Sequence, residues 1–236
     1  MNTDKTEELN HFKGSFLETP AVIAEKLSRV KAYIFDWDGV FNNGIKNENG
    51  SSVFSEIDAM GTNLLRFNHF LSAGAPPVSV IISGELNQAS LALARREHFD
   101  AVYYKTANKM LSFAHLCKSR QLEPEETAFI FDDVLDFSVA ALCGLRIMVS
   151  RVCNPLLIEF ARKNRLADYI TLADGGSHAV RESVELLTGL SGKYEETIGN
   201  RMRFSERYQQ YLLLRNQTKP SFFTSLESEI IEQTSI

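Results

Sequence analysis

Short runs of apolar residues alternate with longer amphipathic stretches through most of the chain. Six apolar runs predict buried strands: Ala32–Phe35, Val78–Ile82, Ala101–Tyr104, Ala128–Phe131, Ile147–Val149 and Tyr169–Leu172. Apolar residues at helical spacing fill the intervals and predict helices, for example over Gln88–His98 and Lys109–Lys118. Runs without strict alternation are typical of strands covered on both faces. The pattern therefore predicts an α/β fold, with a Rossmann-like parallel sheet and helices on both faces.

One segment interrupts this alternation between the first predicted strand and its helix. Residues 44–56 contain Asn49-Gly50, a tight-turn dipeptide, so we expect a small β-hairpin insert there. Composition suggests three regions. They are a polar N-terminal extension (1–20), one α/β domain (21–190) and a charged C-terminal helical extension or tail (191–236).

Composition restricts the classes of function. The chain has 236 residues and a formal charge of −5, whereas a general nucleic-acid binder normally carries a basic surplus. It has three cysteines without CxxC spacing, no signal-peptide pattern at its N-terminus and no apolar run long enough to span a membrane. These features predict a cytoplasmic protein without a disulfide framework, a nucleic-acid partner or a membrane partner.

The first predicted strand ends in Asp36-Trp37-Asp38-Gly39. Two aspartates at positions i and i+2 of a strand point to the same side, and a turn at Gly39 can bring both around one cation. Such oxygen ligands suit Mg²⁺. The alternative is a loop with two solvated aspartates, and the DxDG motif by itself does not decide between them.

Two further motifs offer groups for an anion. Ser83-Gly84 follows the second strand, where a hydroxyl and backbone N–H groups can hold a phosphate oxygen, or where Ser83 simply caps a helix. Lys109 begins a helix after the third strand and can neutralise a phosphate, although a single lysine is more often a solvated surface charge.

The fourth motif is acidic and follows another apolar strand. Asp132, Asp133 and Asp136 repel one another unless a cation lies among them, which favours a metal site, although Asp136 can also cap the next helix. All four motifs follow predicted strands, and the carboxyl ends of parallel strands meet in one cleft. We therefore expect them to form one site.

The set and order of these motifs resemble the haloacid dehalogenase superfamily of phosphotransferases. From about residue 31 to about residue 190, the chain is similar to the capless branch. That branch contains 3-deoxy-manno-octulosonate 8-phosphate phosphatase and the sialic-acid-type 9-phosphate phosphatases. The insert after DxDG and the Gly175-Gly176-Ser-His-Ala179-Val-Arg-Glu182 run also match that branch.

The resemblance implies roles for these residues. It implies that Asp36 is the nucleophile that forms an aspartyl-phosphate, and that Asp38 protonates the leaving oxygen and then activates water. It implies that Mg²⁺ is held by Asp36, the Asp38 carbonyl and Asp132, with Asp133 or Asp136 in support. It also implies that the phosphate is held by Ser83, Gly84 and Lys109.

Several positions depart from the family pattern. Glu85 stands where the octulosonate phosphatases tend to have arginine, and this resembles the nine-carbon enzymes, so Glu85 is a candidate determinant of specificity. At the position on the next helix where those enzymes have an arginine, this chain has Leu93. Phe131 replaces a usual glycine before the acidic motif, and Ala59 follows the family aspartate Asp58 where a glycine-containing turn is usual.

The resemblance implies a Mg²⁺-dependent phosphatase acting on a small sugar phosphate, an eight- or nine-carbon sugar-acid phosphate. It also implies a homotetramer in which a neighbouring hairpin covers the site. Two alternatives remain open. One is a phospho-accepting receiver-like signalling module, although receivers place their acidic pair first, whereas in this chain DxD comes first and the acidic pair last. The other is a non-catalytic regulatory subunit that has kept the fold.

Overall fold

The computed structural model describes residues 9–234, and a nine-stranded sheet forms its centre. The strands are β1 (Ser15–Phe16), β2 (Ala32–Phe35), β3 (Val78–Ile82), β4 (Ala101–Tyr104), β5 (Thr127–Phe131), β6 (Leu145–Ser150), β7 (Tyr169–Asp174), β8 (Ser221–Leu226) and β9 (Glu229–Glu232). Their order across the sheet is β1-β7-β6-β5-β2-β3-β4-β8-β9. The inner strands are parallel, while β1 and β9 pair antiparallel at the two edges.

The helices connect the parallel strands. They are α1 (Pro20–Leu27), α2 (Glu56–Ala73), α3 (Gln88–Glu97), α4 (Lys109–Arg120), α5 (Phe137–Ala140), α6 (Pro155–Lys163), α7 (Ala179–Leu190), α8 (Tyr194–Met202) and α9 (Glu206–Arg215). Side-chain oxygens of Ser55, Asn87 and Asn108 accept backbone N–H groups at the first turns of α2, α3 and α4. Over residues 9–234, none of these helices has the length and apolar character needed to cross a membrane.

The core lies on both faces of the sheet. Side chains alternate along β2, so Tyr33 and Phe35 join a cluster under α1, α2, α3 and α7, whereas Ile34 joins a cluster under α4, α5 and α6. All four residues of β2 are buried, which explains its uninterrupted apolar sequence. The predicted fold class, a mostly parallel sheet covered by helices on both faces, is confirmed.

Two parts of the chain differ from the sequence prediction. Residues 47–51 form the predicted turn, closed by hydrogen bonds from the Asn47 and Gly50 N–H groups, but no strands flank it, so the β-hairpin prediction is wrong for this segment. Beyond residue 190 the chain forms two helices and then β8 and β9, which continue the sheet from β4; the predicted helical extension or tail did not include these strands.

Candidate active site

Three aspartates and a lysine meet at the carboxyl ends of β2 and β5. Asp36 directly follows β2 and Asp132 directly follows β5, and these strands are neighbours, with Phe35 paired with Ile130. Asp136 ends the 3-10 turn Val134–Asp136. Oxygens of the three carboxylates lie within 4.8 Å of one another.

Lys109 joins the carboxylates from the first turn of α4. Its Nζ lies 2.6 Å from Asp36 Oδ1 and 2.5 Å from Asp136 Oδ1, and all three side chains are buried. Burial lowers the pKa of Lys109, but the carboxylates of Asp36 and Asp136 outweigh it, so the net shift is upward and the ammonium stays charged. Lys109 is therefore a fixed buried cation rather than a solvated surface charge.

The cluster carries more negative charge than its own cations stabilise. Burial, with repulsion from Asp36, raises the pKa of Asp132 to about 9, although Arg151 opposes the shift. Burial, again with repulsion from Asp36, raises the pKa of Asp136 to about 7. A further cation among these carboxylates would favour their ionised forms.

The residues present fit a hard divalent cation such as Mg²⁺. Asp132 Oδ2 lies 2.8 Å from Arg151 Nε, whereas its other oxygen, Oδ1, is buried and has no hydrogen-bond partner. A buried acceptor without a partner is costly, and a metal ion would satisfy it. The donor set is composed of carboxylate oxygens, which Mg²⁺ prefers over nitrogen or sulfur.

Asp38 faces a separate set of polar partners from the loop that follows it. Lys46 Nζ lies 2.6 Å from Asp38 Oδ2, and the Ser52 hydroxyl donates to Asp38 Oδ1. Asn87 Nδ2 in turn donates to Ser52 Oγ at 2.7 Å, and Asn87 Oδ1 accepts from the Ser51 hydroxyl at 2.8 Å. Loop 39–55 is thereby attached to the beginning of α3.

Ser83, Gly84 and Glu85 occupy the loop between β3 and α3. Ser83 is buried, its N–H donates to the Tyr103 carbonyl, and its Oγ accepts from the Glu85 N–H at 3.4 Å. Gly84 is half-buried and Glu85 is exposed. The loop follows β3, which neighbours β2, so it lies at the same edge of the sheet as the carboxylates.

The two remaining aspartates of the acidic motif separate. Asp133 is exposed; its Oδ1 accepts the Val134 N–H, and its own N–H donates to Asp136 Oδ2. Asp136 is buried in the carboxylate cluster, and its side chain makes no capping bond to α5. Of the two candidates for support of the metal, the structure thus brings only Asp136 to the cluster.

Several residues of this region were not predicted from the sequence. Arg151 follows β6, and the rule that placed the four motifs at strand ends could have found it. Lys46, Ser52 and Asn87 have no such signal, because a loop without regular structure brings them together. Asp58 was noted only as a family match; it is buried, and its Oδ1 accepts the Arg181 N–H at the start of α7.

Comparison with known proteins places this site in a family, although no family model matches the chain. A 3-deoxy-D-manno-octulosonate 8-phosphate phosphatase of Salmonella typhi is 30% identical over 183 residues, which cover 75% of this chain and 89% of that protein. A haloacid dehalogenase superfamily (subfamily III A) hydrolase of Legionella pneumophila superposes with a TM-score of 0.64 at 26% identity, covering 86% of this chain and 100% of the other.

A third relative shows the same fold with ligands. It is the 3-deoxy-D-manno-octulosonate 8-phosphate phosphatase of Moraxella catarrhalis, solved with a magnesium ion, a phosphate ion and the KDO molecule. It superposes with a TM-score of 0.63 at 24% identity, covering 76% of this chain and 97% of the other. Together with the strand-end carboxylates, these similarities show that the chain belongs to the haloacid dehalogenase superfamily, in the capless branch of the 3-deoxy-D-manno-octulosonate 8-phosphate phosphatases.

Proposed function

We propose that the protein is a Mg²⁺-dependent phosphatase that hydrolyses an eight- or nine-carbon sugar-acid phosphate through an aspartyl-phosphate. The observation that carries this proposal is the buried cluster of Asp36, Asp132, Asp136 and Lys109, which combines a nucleophile, a cation site and a fixed positive charge. The names of the relatives support the phosphatase activity, and the Moraxella complex supports Mg²⁺.

In the first step, an oxygen of Asp36 attacks phosphorus as the bond from phosphorus to the sugar oxygen breaks. Asp38 donates its proton to that leaving oxygen. The metal ion, held by Asp36, Asp132 and the Asp38 backbone carbonyl with Asp136 in support, would supply positive charge for the phosphoryl oxygens. Lys109 neutralises charge on the same group, and Ser83 with the Gly84 N–H holds another of its oxygens.

In the second step, Asp38 takes a proton from water, and the water oxygen attacks the phosphorus of the aspartyl-phosphate. The bond from phosphorus to Asp36 breaks, which releases inorganic phosphate and restores both carboxyl groups. Asp38 must therefore cycle between two protonation states. Lys46 and Ser52 contact its two carboxylate oxygens.

We propose further that the assembly is a homotetramer in which a loop of a neighbouring subunit covers the site. Exposed apolar side chains near this edge of the sheet support such a contact: Ile45, Val53, Val134, Leu135, Val152 and Leu156. Sedimentation equilibrium tests it. A tetramer is the expected species, and a monomer at micromolar concentration contradicts the proposal.

The substrate is tested by phosphate release with Mg²⁺ from a panel of phosphate esters. The panel contains the eight-carbon 3-deoxy-D-manno-octulosonate 8-phosphate, a nine-carbon sialic-type 9-phosphate and neutral sugar phosphates. We expect the sugar-acid phosphates to be preferred and the Asp36→Asn variant to be inactive. No release from any ester refutes the proposal and favours the non-catalytic subunit. Equal release by Asp36→Asn refutes Asp36 as the nucleophile.

Glu85 supports a nine-carbon substrate through its resemblance to the sialic-type enzymes, and its exposure leaves its carboxylate free to contact a ligand. The Glu85→Arg variant is expected to change the ratio of kcat/KM between the eight- and nine-carbon substrates. An unchanged ratio rejects this role for Glu85. The receiver alternative is less favoured, because a receiver places its acidic pair first and its lone acceptor aspartate next. Here DxD comes first and the Asp132-Asp133 pair comes last, and Asp38 offers a general acid two residues after Asp36.

A further inference from the structure

A small cavity opens beside the carboxylate cluster and is not part of the chemistry described above. It has a volume of about 320 Å³ and is lined by Asn43, Arg151, Val152, Cys153, Asp174, Gly175 and Ser177. These residues come from the loops after β2, β6 and β7 and from Asp174, the last residue of β7, so the cavity lies at the same edge of the sheet as Asp36 and Asp132. This volume is at the small end of the range for ligand pockets.

Arg151 connects this cavity to the site. Its Nε lies 2.8 Å from Asp132 Oδ2, and its side chain is 26% exposed. Asp132 is the only ion-pair partner of this guanidinium within residues 9–234, so its Nη1 and Nη2 groups have donors to offer a ligand. A guanidinium presents such donors as a planar fork, which matches a carboxylate.

The loop after β2 is shaped around this guanidinium. A Cβ atom on Gly39 would lie 1.9 Å from Arg151 Nη2, and one on Gly44 would lie 3.5 Å from the same atom. Both glycines also have positive φ values, +91° and +80°, which side chains disfavour. Gly39 therefore leaves the space that Arg151 Nη2 occupies, whereas a Cβ at Gly44 would make only an ordinary van der Waals contact with it.

The other side of the cavity is also built against this loop. A Cβ atom on Gly175 would lie 2.0 Å from the Gly39 carbonyl oxygen, so the turn after β7 packs directly on the loop. That turn and the loop add the amide of Asn43, the carboxylate of Asp174 and the hydroxyl of Ser177 to the lining. Such groups bind the hydroxyls of a polyol.

We propose that this cavity is the subsite for the acid end of the substrate, with Arg151 binding the carboxylate and Asn43, Asp174 and Ser177 binding neighbouring hydroxyls. The inference rests on the proposed function and assigns the substrate specificity of that phosphatase to a residue of this chain. Arg151 then has two contacts: Nε orients Asp132, and the Nη groups select an acid over a neutral sugar.

The test compares two substrates that differ at one group, a sugar-acid phosphate accepted by the wild type and its methyl ester. The wild type is expected to favour the acid by at least about tenfold in kcat/KM, as for a bidentate charged contact. Arg151→Gln is expected to lower kcat/KM for both substrates, because Asp132 loses its contact. It is also expected to reduce the preference for the acid over the ester to about threefold or less. Arg151→Lys keeps the charge without the fork and is expected to fall between them.

Binding of the product sugar acid, measured by calorimetry, gives a readout that does not depend on turnover. Arg151→Gln is expected to weaken it by about tenfold or more. Arg29→Gln, on the α1 side of the sheet, is the matched control and is expected to change neither the ratio nor the affinity.

Equal loss for acid and ester in Arg151→Gln, with unchanged product affinity, overturns the inference and leaves Arg151 as a positioning residue for Asp132. That result leaves the phosphatase function intact. If the wild type releases phosphate from no sugar-acid phosphate, the proposed function is refuted and the subsite falls with it.

Discussion

At the scale of single residues, Asp38, the proposed general acid, is held by a chain of polar contacts that reaches the next helix. Asp38 accepts from Ser52, Ser52 accepts from Asn87, and Asn87 caps α3. Ser52 and Asn87 are both buried, so each hydrogen bond fixes the position of the next group. Ser52 and Asn87 are therefore positioning residues for Asp38.

This arrangement predicts that Ser52→Ala lowers kcat for a sugar phosphate by about tenfold with little change in KM, because Asp38 loses its orientation. p-Nitrophenyl phosphate needs no proton on its leaving group, so its first step, followed as the initial burst of p-nitrophenolate, is expected to change much less. Ser52→Thr keeps the hydroxyl and is the control. An equal loss in the first-step rate on both substrates would show that Ser52 does not act through Asp38.

The unpartnered oxygen of Asp132 leads to a prediction about stability. Mg²⁺ at about 100 times its Kd is expected to raise the free energy of unfolding by about 2.7 kcal/mol, or the Tm by about 5–10 °C for a chain of this size. Asp132→Asn is expected to lose this increase, as measured by thermal unfolding with and without Mg²⁺.

The neighbouring exposed residue supplies the control for that measurement. Asp133→Asn removes a carboxylate one position away that caps the 3-10 turn and lies outside the carboxylate cluster. This variant is expected to keep the rise in Tm. A rise that survives in Asp132→Asn, or is lost in both variants, contradicts the assignment of Asp132 as a metal ligand.

At the scale of elements, α2 packs on the sheet through a half-buried histidine. The ring of His69 lies edge-on to that of Tyr33 on β2, with centroids 6.0 Å apart. Burial lowers the pKa of His69 to about 4, against an ordinary value of about 6.5. The unfolded chain therefore takes up the proton first as the pH falls, and stability decreases between pH 6.5 and 4.

The expected difference at pH 5 is about 2 kcal/mol, since 1.5 pH units below the ordinary pKa correspond to that free energy. The measurement compares urea unfolding of the wild type and His69→Gln at pH 7 and pH 5. Relative to the variant, the wild type should lose about 2 kcal/mol more on acidification. The same pH dependence in both proteins would exclude His69 as the cause.

The elements also show how far the sequence could predict the structure. The six apolar runs correspond to β2–β7. A strand that is buried on both faces is apolar along its length, so it can be recognised without knowing which strands it pairs with. The hairpin prediction fails because the residues beside the Asn47–Ser51 turn contribute side chains to the site. Lys46 reaches Asp38, and Ser52 lies between Asp38 and Asn87. β1 has two residues, too few for a periodic pattern.

The residues of the site could also be predicted only in part. Asp36, Asp132, Lys109 and Asp136 meet because they occupy the ends of neighbouring parallel strands or the turns that follow, a rule that can be applied to the sequence. The contacts of Asp38 depend on the path of an irregular loop, and sequence periodicity says nothing about that path. The roles of the site residues remain predictions that the experiments above test.

At the scale of the whole molecule, the C-terminal residues extend the sheet. Tyr208 and Tyr211 of α9 are buried against Phe67 and Phe70 of α2. The chain then returns so that β8 pairs with β4. The outermost strand β9 has glutamates at both ends, and charge on an edge strand disfavours pairing with another chain. The region thus packs on its own domain, at the sheet edge beyond β4.

The central claim is that Asp36 carries the phosphoryl group during turnover. The most direct measurement is rapid acid quenching of the enzyme with Mg²⁺ and a sugar-acid phosphate, followed by mass analysis of the peptides. We predict one phosphoryl group on the peptide containing Asp36, removed by hydroxylamine and absent from Asp36→Asn. Phosphate release by the wild type without any phosphoryl group on that peptide, or with one that persists in Asp36→Asn, would contradict the account.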